Sequence, residues 1–263
     1  MRCIRMTVQY DGTNYHGWQE QPGLATIQGT LADRMATILG ERPGVEGAGR
    51  TDAGVHAIGQ VAAFRTDHPI DLGRLLAALN SRLPDDVAVP DMSEAALGFR
   101  PSMDAVSKHY RYRIHRGPVR PVFAARYAWH WYRPIEVEPM RAAARLLLGR
   151  HDFKSFEARG SDRADTVREV TRLDVAEAGA ELLVDVEGNG FLYRMVRNLV
   201  GTLVEVGRGH RSPQWVADVL EARDRRAAGP TAPPHGLCLM AVRYPPSALA
   251  AARQTPEGEV DGA

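Results

Sequence analysis

His109-Tyr110-Arg111-Tyr112-Arg113-Ile114 changes character at every second residue. A period of two belongs to a strand, whose successive side chains point to opposite faces. The segment therefore predicts a strand with one aromatic and aliphatic face, Tyr110, Tyr112 and Ile114, and one cationic face, His109, Arg111 and Arg113. Upstream, Ile4, Met6, Val8 and Tyr10 alternate with Arg5, Thr7 and Gln9 as a second such strand, and Asp11-Gly12 ends it in a turn. Residues 14–23 are polar with interleaved aromatics, a loop that either packs on the surface or touches a ligand. Thr26 then caps a helix with Ile27, Leu31, Met35 and Ile38 on one face and Gly40 at its end. Gln60–Thr66 reads as a strand, Asp71 opens a helix through Leu72, Leu75, Leu76 and Leu79 that Pro84 stops, and Val87-Ala88-Val89 is a short strand before an acidic, aperiodic stretch. Strand, helix, strand, helix, strand makes one α/β unit.

Downstream the scheme recurs. Trp129–Tyr132 reads as a strand, and Met140–Leu148 as a helix stopped by Gly149. Val170–Val175 and Leu182–Val186 form a hairpin around Glu177-Ala178-Gly179. From Phe191 to Val206, Leu192, Met195, Val196, Leu199, Val200 and Leu203 make one helical stripe, with Arg194, Arg197 and Gly201 on the opposite face. Ser212 and Pro213 open a further helix, Leu237–Tyr244 is a last strand, and Pro245-Pro246 ends it. We expect an N-terminal half over residues 1–104, a C-terminal half over 105–245, and a flexible tail, helical only in part, over 246–263.

The 263 residues are 25% charged and 44% hydrophobic, which excludes a disordered or fibrous chain. Met1–Met6 lacks an apolar signal region and no apolar run is long enough to span a membrane, so a cytoplasmic protein is expected. Cys3 and Cys238 lie far apart without Cys-x-x-Cys spacing and read as two buried free thiols. The nine histidines show no ligand spacing, so no metal is expected. Net charge is only +1, yet nearly all of the 33 basic residues are arginine. Between Arg100 and Arg133, Lys108 and seven arginines face the single acid Asp104. Arginine matches phosphate oxygens and stacks on bases, so this local stripe reads as a nucleic-acid footprint.

One loop stands apart. Gly49-Arg50-Thr51-Asp52-Ala53-Gly54-Val55-His56-Ala57 sets a carboxylate between an arginine and two glycines. Glycine permits close backbone approach, so the loop either makes an ordinary Asp turn or presents Asp52 to a ligand.

Together with Tyr10-Asp11-Gly12-Thr13, Gly17-Trp18-Gln19, Gly59-Gln60-Val61, Tyr110-Arg111-Tyr112, His151-Asp152-Phe153, Phe191 through Gly201, Gly236-Leu237 and Tyr244-Pro245, this loop resembles the tRNA pseudouridine synthase A family over nearly the whole chain. The resemblance implies isomerisation of uridine to pseudouridine at positions 38, 39 and 40, in the anticodon stem-loop of tRNA. It implies no cofactor, and a homodimer whose subunits share a tRNA. Asp52 would be the nucleophile, attacking ribose C1′ or uracil C6 or first removing a ribose proton. Arg197 would pair with Asp52 and lower its pKa; Tyr110, which periodicity alone places in the core, would contact the uracil and assist proton removal at C5; Arg50 would enter the space left by the flipped base or hold a phosphate. The expected fold is mixed α/β (α+β): two similar halves with largely antiparallel sheets joined into one, helices on the outer faces, and the active cleft between halves. At Phe99-Arg100-Pro101 the chain departs from the family's Phe-His-Ala pattern, and Arg100 is expected to supply the lost contact as a phosphate ligand. A non-catalytic tRNA-binding protein or chaperone would not need Asp52, Tyr110 and Arg197 together. A nucleoside-cleaving enzyme would need a second carboxylate near Asp52.

Overall fold

The alternation at Ile4–Tyr10 becomes strand β1, Arg2–Tyr10, in a computed structural model that describes residues 1–160 and 165–249. The first half continues with α1, Ile27–Leu39, the two-residue β2, Glu46–Gly47, β3, His56–Thr66, α2, Leu72–Asn80, and β4, Val87–Ala95. Both expected caps form: Thr26 Oγ1 accepts from Gly29 N at 3.3 Å and Asp71 Oδ1 from Arg74 N at 3.0 Å, each worth about 1 kcal/mol to its helix. β4 runs through Pro90 and the acidic residues that looked aperiodic. It is the edge strand, so the missing proline N–H is harmless and Glu94 and Asp91 face Arg2 and Arg5 of β1.

The second half comprises β5, Ser107–Arg116, β6, Trp129–Trp131, α3, Val137–Arg145, β7, Gly149–Asp152, β8, Val167–Ala178, β9, Glu181–Gly188, α4, Met195–Gly207, α5, Trp215–Ala222, β10, Leu237–Arg243, and the short α6, Pro246–Leu249. The four-residue β7 lacks a periodic signal and was legible only as the end of a helix. The Ser212 cap does not form: α5 begins at Trp215 behind Gln214, and its first amide is taken by the Ser212 carbonyl, at 3.2 Å. The rest of the expected tail, residues 250–263, lies outside the described residues.

One sheet joins both halves in the order β4-β1-β3-β10-β5-β9-β8-β7, with β2 on β3 and β6 on β5. Pairing is antiparallel except for β5–β6 and the seam, where β10 runs parallel to β3 through Cys238↔His56 and Leu239↔Ala57. The last strand among the described residues thus lies between the halves. Helices α1 to α5 cover one face, where Met6, Val8, Leu31, Leu79, Tyr112, Ile114, Met140 and Leu199 share a continuous core. The other face carries a smaller cluster of Cys3, Val61, Ala63 and Phe99, capped by Ala248 and Leu249 of α6. Burying one face and charging the other is what the alternation in β5 required.

Candidate active site

Asp52 sits in the loop that leads into β3, on the helical face. Its backbone is clamped from below by residues 14–18: Trp18 N donates to Thr51 O at 3.1 Å and Gly54 N to Tyr15 O at 3.3 Å. The clamp depends on Gly17, at φ +91°, where a Cβ would stand 2.4 Å from Thr51 O. The aromatics of this segment are therefore supports: Trp18 is buried against Gly47, and Tyr15 is buried with its hydroxyl on Asp86. From the side, Tyr10 Oη and Thr51 Oγ1 lie 2.8 Å apart, and Gln60 Nε2 donates to Gly49 O at 2.8 Å. At the far end, His56 Nδ1 lies 3.1 Å from Gly12 N and 3.0 Å from Asp11 Oδ1, and its Nε2 lies 3.2 Å from His235 O, which ties the loop to the second half. Burial holds the His56 pKa below 6.5 and outweighs the opposing pull of Asp11.

The second half supplies the partners. Arg197 Nη1 reaches Asp52 Oδ2 at 2.6 Å, while its Nε donates to Ala232 O at 2.8 Å. Helix α4 is buried almost all round, so the face opposite its apolar stripe is not a solvated one; Arg197 is 9% exposed and anchored at both ends of its guanidinium. A short, charge-assisted bond of this kind fixes the carboxylate rotamer. Tyr110 projects from β5 on the same face, held edge-on by Phe191 at 5.4 Å. Its phenol pKa is raised well above 10.0 by burial, with Tyr10 and Asp52 adding to the shift. Tyr110 is thus a core residue whose hydroxyl lies against the Asp52 loop, 3.9 Å from where a Gly49 Cβ would stand. Arg50 is exposed and makes no hydrogen bond or ion pair among the described residues.

Two further cations here, Arg194 of the α4 face and Lys108 of the cationic stripe, are not assigned to the site by the sequence reading. Arg194, in the left-handed conformation at φ 57°, starts α4 with its Nε 3.9 Å from Asp52 Oδ2 and its guanidinium over Tyr193. Its spacing of three from Arg197 was the available signal. Lys108 Nζ lies 3.5 Å from where a Gly49 Cβ would stand, and its even register with Tyr110 on β5 places it on the same face.

The arginine stripe is another matter. Arg111 pairs with Asp185 at 3.0 Å, Arg113 with Glu181 at 2.8 Å and Arg116 with Glu177 at 2.7 Å. By strand alternation Arg111 and Arg113 lie on the face opposite Asp52. Three of the eight cations in the footprint read from residues 100–133 are therefore neutralised by acids of the β8–β9 hairpin, too distant in sequence to enter the local count. Arg100 follows Phe99, which packs with Tyr244 on that open face. Among the described residues no group of three or more His, Cys, Asp or Glu side chains is placed to hold a metal ion, and no helix is long and apolar enough to cross a membrane.

A model of the family described as tRNA pseudouridine synthase matches residues 6–102 and 143–245. Proteins named tRNA pseudouridine synthase A from Geotalea uraniireducens and Geobacter sulfurreducens are 46% and 47% identical over 244 residues, covering 93% of this chain and 100% of theirs. One from Myxococcus xanthus is 45% identical over 265 residues, covering 99% of this chain and 98% of its own.

Proposed function

This chain belongs to the tRNA pseudouridine synthase family and isomerises uridine to pseudouridine in tRNA; we propose that it acts in the anticodon stem-loop, at positions 38 to 40, with Asp52 as its nucleophile. The observation that supports these roles is the Arg197–Asp52 contact at 2.6 Å, which joins a loop of one half to a helix of the other. An aspartate in a mere turn needs no such partner. We propose residues 1–104 and 105–245 as the two units whose junction makes the site, and, from the family resemblance, a cytoplasmic homodimer.

The reaction breaks N1–C1′, turns the uracil and joins C5 to C1′; C5 gives up a proton and N1 gains one, so atoms and electrons balance without a redox partner. A carboxylate nucleophile divides this substitution into two easier steps through a covalent intermediate. Arg197 keeps the attacking oxygen in place. Tyr110, a neutral phenol, stacks on or hydrogen-bonds the extruded uracil in place of its lost neighbours. Exposed Arg50 holds a flanking phosphate or fills the gap in the stem.

The test is tRNA carrying tritium at uracil C5. Wild-type protein should release tritium with no free base, and Asp52→Asn should lower the rate by at least about 10³-fold while still binding tRNA. Free uracil would mean glycosidic cleavage. Binding without tritium release by the wild type would mean a non-catalytic tRNA-binding protein.

A further inference from the structure

Residues 117–127 leave the second half after β5 and cross to the first. There Tyr127 Oη donates to Asp11 Oδ2 at 2.8 Å, Arg126 lies 3.6 Å from the same carboxylate, and the Tyr127 ring meets His56 edge-on at 5.1 Å. The crossing segment roofs an open cavity of about 480 Å³, lined by Thr13, Gly54, Arg120, Val122, Arg126 and His235 among others. Gly54 is two residues from Asp52, so the cavity adjoins the catalytic loop and lies within about 8 Å of Asp52 along the backbone.

Two features of the crossing segment are unexplained by folding. Arg120 is exposed and makes no hydrogen bond or ion pair among the described residues. Beside it, Val122 is 79% and Phe123 95% exposed, so nearly a whole aromatic ring stands in water. Unpaired arginine next to an exposed aromatic is the combination that grips single-stranded nucleic acid, charge for the phosphate and a ring face for the base.

We propose that the crossing segment seats an unpaired nucleotide flanking the target uridine, its phosphate held in the cavity by Arg120 and Arg126 and its base stacked on the exposed ring of Phe123, which follows the lining residue Val122. The assignment rests on the site reading above and extends it: Asp52 receives the extruded uridine while the roof holds its neighbour, which fixes the strand's register. The ligand class is RNA with a flexible, unstacked residue beside the target, as a stem-loop offers and a continuous duplex does not.

The experiment measures tritium release by the full chain on tRNA, and on a stem-loop RNA in which one flanking nucleotide is abasic. Phe123→Ala should raise KM for intact tRNA about 10-fold, the rise in KM exceeding any fall in kcat. Arg120→Ala should make the dependence of log affinity on log salt shallower by about one. On the matching abasic RNA the Phe123→Ala effect should vanish, a coupling that a general loss of folding cannot imitate. An active wild type whose KM is the same in both variants overturns this assignment alone. Dissociation of an oligomer on Phe123→Ala, seen by light scattering, would also overturn it and make the roof a contact between copies. A wild type that releases no tritium overturns the site reading itself.

Discussion

Tyr110 and Asp52 reach the cleft from different halves, and the protonation of the tyrosine constrains what it can do. Burial, the neighbouring Tyr10 and the Asp52 charge all disfavour its phenolate, so its folded pKa is raised above 10.0. The sign follows: the phenol stays neutral across the physiological range, and its contribution to stability is present below pH 10 and lost as pH rises further. A neutral phenol donates a hydrogen bond and does not by itself remove the C5 proton. Single-turnover rates should therefore be flat between pH 7.5 and 9.5. A tenfold rise per pH unit over that range, abolished in Tyr110→Phe, would instead identify the phenolate as the working form. Residue types alone could not settle this, because Tyr110 has the periodicity of an ordinary core position. The approach of the Asp52 loop to its hydroxyl is what supports the site role proposed for it.

Helix α4 connects the apolar pattern to the chemistry. Its stripe was legible because Leu192 to Leu203 recur at helical spacing, but the pattern left the opposite face open. That face is covered by residues 229–232, whose Ala232 carbonyl anchors Arg197 and whose Ala232 N–H returns a bond to Arg197 O at 3.1 Å. Close contact is possible because Gly201 lacks a side chain; a Cβ there would stand 1.7 Å from Pro230 O. Gly201→Ala should push the 229–232 segment off the helix, lowering stability by about 2–3 kcal/mol in denaturant titration. It should also cut the rate of tritium release more than it raises KM, since Arg197 loses its anchor before tRNA loses its contacts. A variant with wild-type rate and reduced stability would separate the anchor from catalysis. The edge strand β4 tells a similar story: Pro90 and its acids read as irregular until their place at the sheet margin explains them.

For the whole molecule, the division of charge between the two sheet faces leaves some arginines paired and others open to a phosphate. The β5 arginines on the open face, Arg111 and Arg113, are matched by Asp185 and Glu181, whereas Arg50 and Arg120 are exposed without partners among the described residues. Paired guanidiniums release no counterions from RNA. Arg113→Ala should therefore leave the salt slope of tRNA binding as it is, and Arg50→Ala should make it shallower by about one. A shallower slope for Arg113→Ala would return the open face to the RNA-binding surface. The same division accounts for a net charge of only +1 on a tRNA-modifying enzyme, because the basic residues act by position and not by sum.

By itself the sequence determined the strands whose side chains alternate, the helices with one apolar stripe and a proper cap, and the glycine-framed loop that carries Asp52. These are local properties, set by periods of 2 and 3.6 and by backbone freedom within a few residues. The local pattern of residues left open, and tertiary structure decided, the geometry by which Arg197 meets that carboxylate, the approach of the Asp52 loop to the buried Tyr110, the pairing of Arg111, Arg113 and Arg116 with acids of a distant hairpin, and the place of β10 at the seam between halves. Each of those depends on the pairing of strands far apart in the chain, and register between distant strands leaves no mark in local composition.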